Sequence, residues 1–184
     1  MPRRLAFLSG LLLLCVLIGF GSGQAAAAAI GANKFDLLLQ FLDTPPPAGA
    51  NAEGYRRVRS AMAEKAIADA RDAGLTFLRV AVTGYSPADF GQKANDLALW
   101  QQDPPQFWSA ADRMFDALDG AGIRLVPTFV WNLAQFPSLA GDSVATFVRD
   151  GDSASRRLLA QFIRDFIGRY RGRPTILFYE LTTR

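Results

Sequence analysis

The sequence predicts an α/β fold built from about four strand–helix units. Strand-like and helix-like patterns alternate after residue 30, with roughly one apolar strand in every fifty residues. Residues 72–80 and 119–126 repeat the same order of helix end, glycine and apolar strand. Such repetition is typical of parallel strands joined by right-handed helical crossovers.

The first unit is predicted from an apolar run and an amphipathic run. Residues 35–41 are mostly apolar and are followed by three prolines, so we expect the first strand there. Residues 55–73 are expected to form a helix, whose apolar stripe would consist of Val58, Met62, Ala66 and Ala70. Gly74 is expected to end this helix in the left-handed conformation.

The second unit has clearer patterns. Residues 76–82 are predicted to form the second strand, and residues 83–105 a long polar loop. A helix is expected over residues 107–121, ended by Gly122. The apolar stripe of this helix would consist of Phe107, Ala111, Phe115 and Leu118.

The third unit begins with an apolar strand over residues 124–130, and a second long loop is expected over residues 131–152. Asp152 or Ser153 can cap the helix that follows. Its apolar pairs recur every four residues, as Leu158–Leu159, Phe162–Ile163 and Phe166–Ile167. A fourth strand, expected to be buried, then leads to Glu180.

The amino-terminal segment predicts export. Arg3 and Arg4 precede an apolar run that ends at Phe20, and an alanine tract follows it. We therefore expect a signal peptide over residues 1–29, a domain over residues 30–184, and a secreted or periplasmic protein. The alternative is an uncleaved anchor, but the apolar run is shorter than the ~20 residues of a spanning helix. After cleavage we expect no stable membrane anchor.

Composition excludes several kinds of chemistry. The chain contains no histidine, and Cys15, in the apolar run, is its only cysteine. Histidine-dependent nucleophiles and zinc sites built on imidazole or thiolate are therefore excluded. Carboxylate catalysis remains, and we expect no cofactor and no metal. The net charge of +3 includes the two leader arginines, so we also expect no nucleic-acid partner.

Four segments resemble family-5 glycoside hydrolases, the family of cellulases and β-mannanases. They are residues 31–36, 78–80, 124–132 and 169–182, which occur in the family's order and span nearly all of the chain after the leader. The resemblance implies a (β/α)8 barrel, of which this chain would form a truncated first half. It also implies a parent activity: retaining hydrolysis of a β-linked polysaccharide, either mannan or glucan. A doubly wound sheet is the structural alternative, but no glycine-rich phosphate loop follows the first strand.

The resemblance also assigns roles to individual residues. Arg184 stands at the family's acid/base position and cannot donate a proton, so no catalytic residue set is complete. Arg79 matches an arginine that holds the nucleophile, and Glu180 would face inward as its partner or as part of the framework. Tyr85, Trp131 and Asn132 lie at the ends of strands, where their side chains would bind a sugar. The alternative is that the aromatic residues cover the core beneath the long loops, and for Tyr85 the two interpretations are equal.

Three functions remain open at this stage. The chain is expected to be an inactive glycoside hydrolase, a non-catalytic glycan-binding protein, or a small complete α/β domain of unrelated function. In the first two cases its partner is a polysaccharide or oligosaccharide. Exposed strand edges would also favour self-association. Thr183 and Arg184 stand where the resemblance implies an Asn-Glu pair, as a single-base slip in the coding DNA would produce; the alternative is a short protein that diverged.

Overall fold

A four-stranded parallel sheet with the order β1-β2-β3-β4 organises the fold. The computed structural model describes residues 29–42, 51–84 and 96–182. The strands are β1 (Gly31–Asn33), β2 (Phe77–Ala81), β3 (Arg124–Val130) and β4 (Glu180–Thr182). The helices are α1 (Leu37–Phe41), α2 (Ala52–Asp72), α3 (Ala98–Gln102), α4 (Pro104–Ala121), α5 (Gln135–Ala140), α6 (Val144–Arg149) and α7 (Ala154–Tyr170). The predicted α/β class and parallel pairing are confirmed.

The first strand lies earlier than the sequence pattern predicted. Gly31–Asn33 pairs with β2, whereas the apolar run at 35–41 contains the short helix α1. Leu37 and Leu38, the first two residues of this helix, are both fully buried. A Cβ atom at Gly31 would lie 2.3 Å from the Phe77 ring, so a larger residue at this position would require that ring to move.

The apolar stripe of α2 is also displaced from its predicted position. Val58 and Met62 are 60% and 53% exposed, whereas the predicted Ala70 is buried together with Ala63 and Ile67, which were not predicted. The alanine-rich sequence permits two overlapping stripes, and Ile67 selects the one that faces the core. Gly74 follows the helix at φ +73°, as predicted.

The second and third units agree closely with their patterns. All four predicted stripe residues of α4 are fully buried, and Gly122 ends the helix at φ +69°. Helix α7 is capped by Ser153, whose hydroxyl accepts a hydrogen bond from the Arg156 backbone N–H. Its buried aromatic residues, Phe162, Phe166 and Tyr170, pack with residues of α4 and β3.

The two predicted long loops contain helices. Helix α3 lies within residues 83–105, and α5 and α6 lie within residues 131–152. Residues 85–95 of the first loop, the prolines at 45–47 and the predicted signal peptide up to residue 28 lie outside the described residues. Within the described part of the chain, no helix is long and apolar enough to span a bilayer.

The fourth strand pairs with β3 through a bulge. Ile176 lies opposite Leu125, whereas Glu180 lies opposite Thr128. Four residues of the last segment therefore match three residues of β3, as in a β-bulge. The expectation of a buried fourth strand is wrong: Phe178 is 54% exposed and Leu181 is 53% exposed. Among the described residues, no strand lies beyond β4 to cover them.

Candidate functional site

The two faces of the sheet carry different side chains. Leu78, Leu125 and Phe129 point toward the helices and belong to the apolar core. Because strand residues alternate between faces, Arg79, Thr128 and Glu180 share the opposite face. We call this the site face. Since the strands are parallel, their carboxyl ends lie together at one end of the sheet, where barrel enzymes place their chemistry. We call this end the carboxyl edge, as distinct from the lateral edges formed by β1 and β4.

Arg79 and Glu180 form a two-point ion pair on the site face. The Arg79 Nε atom donates to Glu180 Oε2 over 2.6 Å, and its second guanidinium nitrogen donates to Oε1 over 2.5 Å. Thr128 donates its hydroxyl to Oε2 over 2.5 Å. The pair connects β2 to β4 across β3, which lies between them. Both charged side chains are about three-quarters buried, with 24% and 23% exposed.

These contacts keep Glu180 ionised. Partial burial by itself would raise the pKa of this carboxyl. The hydrogen bonds from Arg79 and Thr128, together with the guanidinium charge, outweigh that effect and hold the pKa below its ordinary value. Glu180 is therefore a bound carboxylate at neutral pH and is unsuited to donating a proton.

An aromatic pair lies above the arginine at the carboxyl edge. Trp131, which follows β3, stacks on Phe35, which follows β1, with ring centroids 4.1 Å apart. The guanidinium carbon of Arg79 lies 5.2 Å from the centre of the Phe35 ring. Both aromatic side chains remain partly exposed. The stack therefore spans β2 and places a ring surface next to the ion pair.

Two further polar groups shape this edge. The side-chain oxygen of Asn132 accepts from the Ala134 backbone N–H over 2.9 Å, which fixes the turn before α5. Thr83 donates its hydroxyl to Gln135 over 2.9 Å, and the Gln135 amide donates back to the Thr83 carbonyl over 3.2 Å. Both members of this second pair are buried. The hydrogen bonds between Thr83 and Gln135 connect the segment after β2 to the segment after β3.

The structure brings together Arg79, Glu180 and Trp131, whereas Asn132 lies beside them in a local turn. Tyr85 and Arg184 lie outside the described residues. Sequence reasoning did not identify Thr128 as a partner of Glu180 or Phe35 as the neighbour of Trp131. Strand alternation could have indicated Thr128, since it shares the site face with Val126 and Val130 and is the polar residue among these three. The sequence pattern predicted Phe35 at the amino-terminal start of the first strand, whereas Phe35 follows the carboxyl end of β1.

Comparisons with known proteins add evidence on the fold. No family model matches the chain, and no curated protein matches it. Among solved structures, it is similar to the E301A mutant of a glycoside hydrolase family 5 mannosidase from Rhizomucor miehei, with a TM-score of 0.51 and 15% identity. The fold resembles part of a family-5 barrel.

The extent of this likeness is unequal in the two proteins. The alignment covers 83% of this chain and 43% of the mannosidase chain. The present chain thus spans less than half the length of that structure. At this level of identity the comparison establishes similarity of fold.

Proposed function

We propose that the chain derives from a family-5-like glycoside hydrolase and binds a β-linked polysaccharide, mannan or glucan, without hydrolysing it. The observation that supports this most directly is the Arg79–Glu180 pair beside the Phe35–Trp131 stack. Aromatic rings bind the apolar faces of pyranoses, and charged groups beside them can bind hydroxyls. In this proposal β1 to β4 correspond to the first four strands of the barrel.

The proposed lack of hydrolysis follows from the carboxylates. Retaining glycosidases need two carboxyl groups about 5–5.5 Å apart, one of them protonated as the acid. Glu180 is the only carboxylate among the residues of the four described strands. Its lowered pKa opposes the role of acid. In this proposal Arg79 holds the Glu180 carboxylate in place and does not orient a catalytic nucleophile.

We expect no turnover of mannan, cellulose or aryl β-glycosides by the purified chain. Absence of the acid alone removes a factor of about 10²–10⁴ in rate. Reducing-sugar and chromogenic assays measure this directly. Turnover that persists through purification and disappears in Glu180→Gln would contradict the assignment of a non-catalytic role.

Binding provides the positive test. We expect the chain to be retained on insoluble mannan or cellulose, and Trp131→Ala to weaken this retention by up to about tenfold, since an aromatic stacking contact is worth roughly 0.5–1.5 kcal/mol. Phe178→Ala is the matched control, because Phe178 is an exposed aromatic residue outside the stack. If both variants bind as the parent does, the sugar platform is located elsewhere. If the parent binds neither polysaccharide, the unrelated-domain alternative is favoured.

A further inference from the structure

The two outer strands of the sheet differ from the two central strands in exposure. Every residue of β3 after Arg124 is buried, and Ala81 and Val80 of β2 are fully buried. By contrast, the residues beside the outer strands are exposed: Ile30 by 57% and Leu181 by 53%. Within the sheet, the exposed apolar side chains therefore lie at its two lateral edges.

Among residues 29–42, 51–84 and 96–182, each edge of the sheet also presents backbone groups that face no neighbouring strand. The Thr76 N–H donates to the Ile30 carbonyl, and the Lys34 N–H donates to the Arg79 carbonyl, so these residues of the β1 segment face β2. Because parallel strands alternate the neighbour that each residue faces, Gly31 and Asn33 direct their N–H and C=O groups outward.

The same alternation applies to β4. The Thr128 carbonyl accepts from the Val82 N–H, so the Thr128 backbone faces β2 and the next residue faces β4. Glu180 and Thr182 lie opposite Thr128 and Val130 and bond toward β3. The N–H and C=O groups of Leu181 are therefore directed to the outer side.

We propose that a second copy of this chain pairs with both edges at once, so that two four-stranded sheets close into an eight-stranded barrel. A two-fold axis along the barrel brings β4 of each copy beside β1 of the other. Leu181 would then donate to the Gly31 carbonyl of the second copy and accept from its Asn33 N–H. These are the groups that each edge leaves open, and the closed barrel has no free edge.

The register of the sheet supports this closure. Gly31 is level with Phe77, and Phe77 is level with Arg124. Because Leu125 lies opposite Ile176, Arg124 is level with Thr175. In the proposed pairing, Gly31 of the second copy is level with Glu180. From Thr175 to Glu180 is five positions, of which the bulge takes up one. Gly31 of the second copy is therefore displaced by four residues along the strands from Gly31 of the first copy. Two copies give 4 + 4 = 8, the shear of an eight-stranded parallel barrel.

The direction of this displacement is also correct. In a right-handed coiled sheet, a line drawn across the strands in chain order moves toward their amino ends. The line from Gly31 through Thr175 would therefore reach the second copy four residues before its Gly31. Gly31 of the second copy is consequently level with Glu180, so that the two short edge strands coincide.

The directions of the side chains agree with this register and disagree with a register shifted by one residue. Glu180 and Gly31 both point to the site face, and Leu181 and Ala32 both point to the helix face. A shift by one residue would pair opposite faces and set the open N–H groups against bonded ones. The chain thus carries two edges that match each other in height, face and hydrogen bonding, which favours a second copy over an unrelated strand.

Cysteine cross-linking tests the proposed register. In a Cys15→Ser background, chains with Ala32→Cys and chains with Leu181→Cys are co-expressed and oxidised. We expect a disulfide-linked dimer from the mixture and none from either variant alone, because equivalent positions lie on opposite sides of the barrel. Within one chain the two positions are three strand spacings apart, about 14 Å, too far for a disulfide.

Sedimentation tests the assembly itself. We expect twice the mass of one mature chain, which consists of residues 30–184 after the expected cleavage. Leu181→Pro removes the outward N–H without removing a bond to β3, and we expect it to weaken the dimer tenfold or more. Leu181→Ala is the matched control that retains the N–H group, and Val148→Ala tests an exposed apolar residue on α6. Far-UV circular dichroism shows whether each variant is folded.

Several outcomes would overturn the proposal. A folded parent chain that stays monomeric at high micromolar concentration would do so. A dimer in which Leu181→Cys cross-links to itself, or in which Ile30→Cys replaces Ala32→Cys as the partner, would show another interface. A dimer that Leu181→Pro does not weaken would exclude pairing through β4.

Discussion

Glu180 accepts three hydrogen bonds from two neighbouring side chains on the site face. Two come from Arg79 and one from Thr128, so the carboxylate holds β2, β3 and β4 together at one level. The pair is partly buried, which limits screening by water. We expect its removal to affect stability and its pH dependence.

At neutral pH, we expect Glu180→Gln to reduce the free energy of unfolding by about 1–3 kcal/mol, because the Arg79 charge loses its partner. The pKa of Glu180 is lowered from its ordinary value near 4.5. Its stabilising contribution is therefore present above pH 4.5 and is lost as pH falls through the lower folded value. Urea unfolding at pH 7 and at about pH 3 should show the difference between parent and variant shrinking in acid.

Glu53→Gln provides a matched control for this change. Glu53 pairs with Arg57 on α2, but their side chains are 85% and 74% exposed. We expect a change below about 0.5 kcal/mol at either pH. An equal loss in both variants would mean that the Arg79–Glu180 pair has no special role.

Helices α4 and α7 are joined by a polar contact at the margin of the aromatic core. Tyr170, which is 1% exposed, donates its hydroxyl to Asp112 over 2.8 Å, and Arg169 pairs with the same carboxylate. The Arg169 hydrogen bond lowers the pKa of Asp112. Burial, with the contact to Asp112, raises the pKa of Tyr170. The hydroxyl therefore remains a donor throughout the ordinary pH range.

We expect Tyr170→Phe to destabilise the chain by about 0.5–1.5 kcal/mol, since it removes one hydrogen bond and keeps the ring stacked 4.1 Å from Phe115. Urea unfolding measures the change. Tyr179→Phe is the control, because Tyr179 is 37% exposed, and its effect should be within about 0.5 kcal/mol. A larger loss from the control would show that the contact between α4 and α7 is not the cause.

The elements predicted well are those in which local pattern and tertiary packing agree. The β3 strand is mostly apolar, and α4 has one unambiguous stripe, so both were located correctly. The first strand was not, because three residues containing a glycine carry little local signal, and their pairing with β2 decides the structure. The Arg79–Glu180 pair was expected from the family resemblance together with strand parity, whereas the place of Phe35 depended on the position of that first strand.

On the scale of the whole molecule, we expect export with cleavage near Ala29 or Ile30. The basic start and apolar run predict this, and the described chain begins its first strand directly afterwards. Amino-terminal sequencing of exported protein measures the cleavage site. Leu12→Arg, which places a charge in the apolar run, should block export, whereas Leu12→Ile should not. Exported protein that retains Met1 would contradict the signal peptide.

The bulge before β4 determines which substitutions and deletions are tolerated in this segment during evolution. Ile176 faces the same side as Leu125, and without an extra residue Glu180 would face that side too, toward the helices. The extra residue turns it to the side of Arg79. The number of residues between 176 and 180 is thus constrained more strongly than their identity. In related sequences, substitutions at 177–179 should be common, whereas a one-residue deletion there should occur together with loss of the arginine on β2.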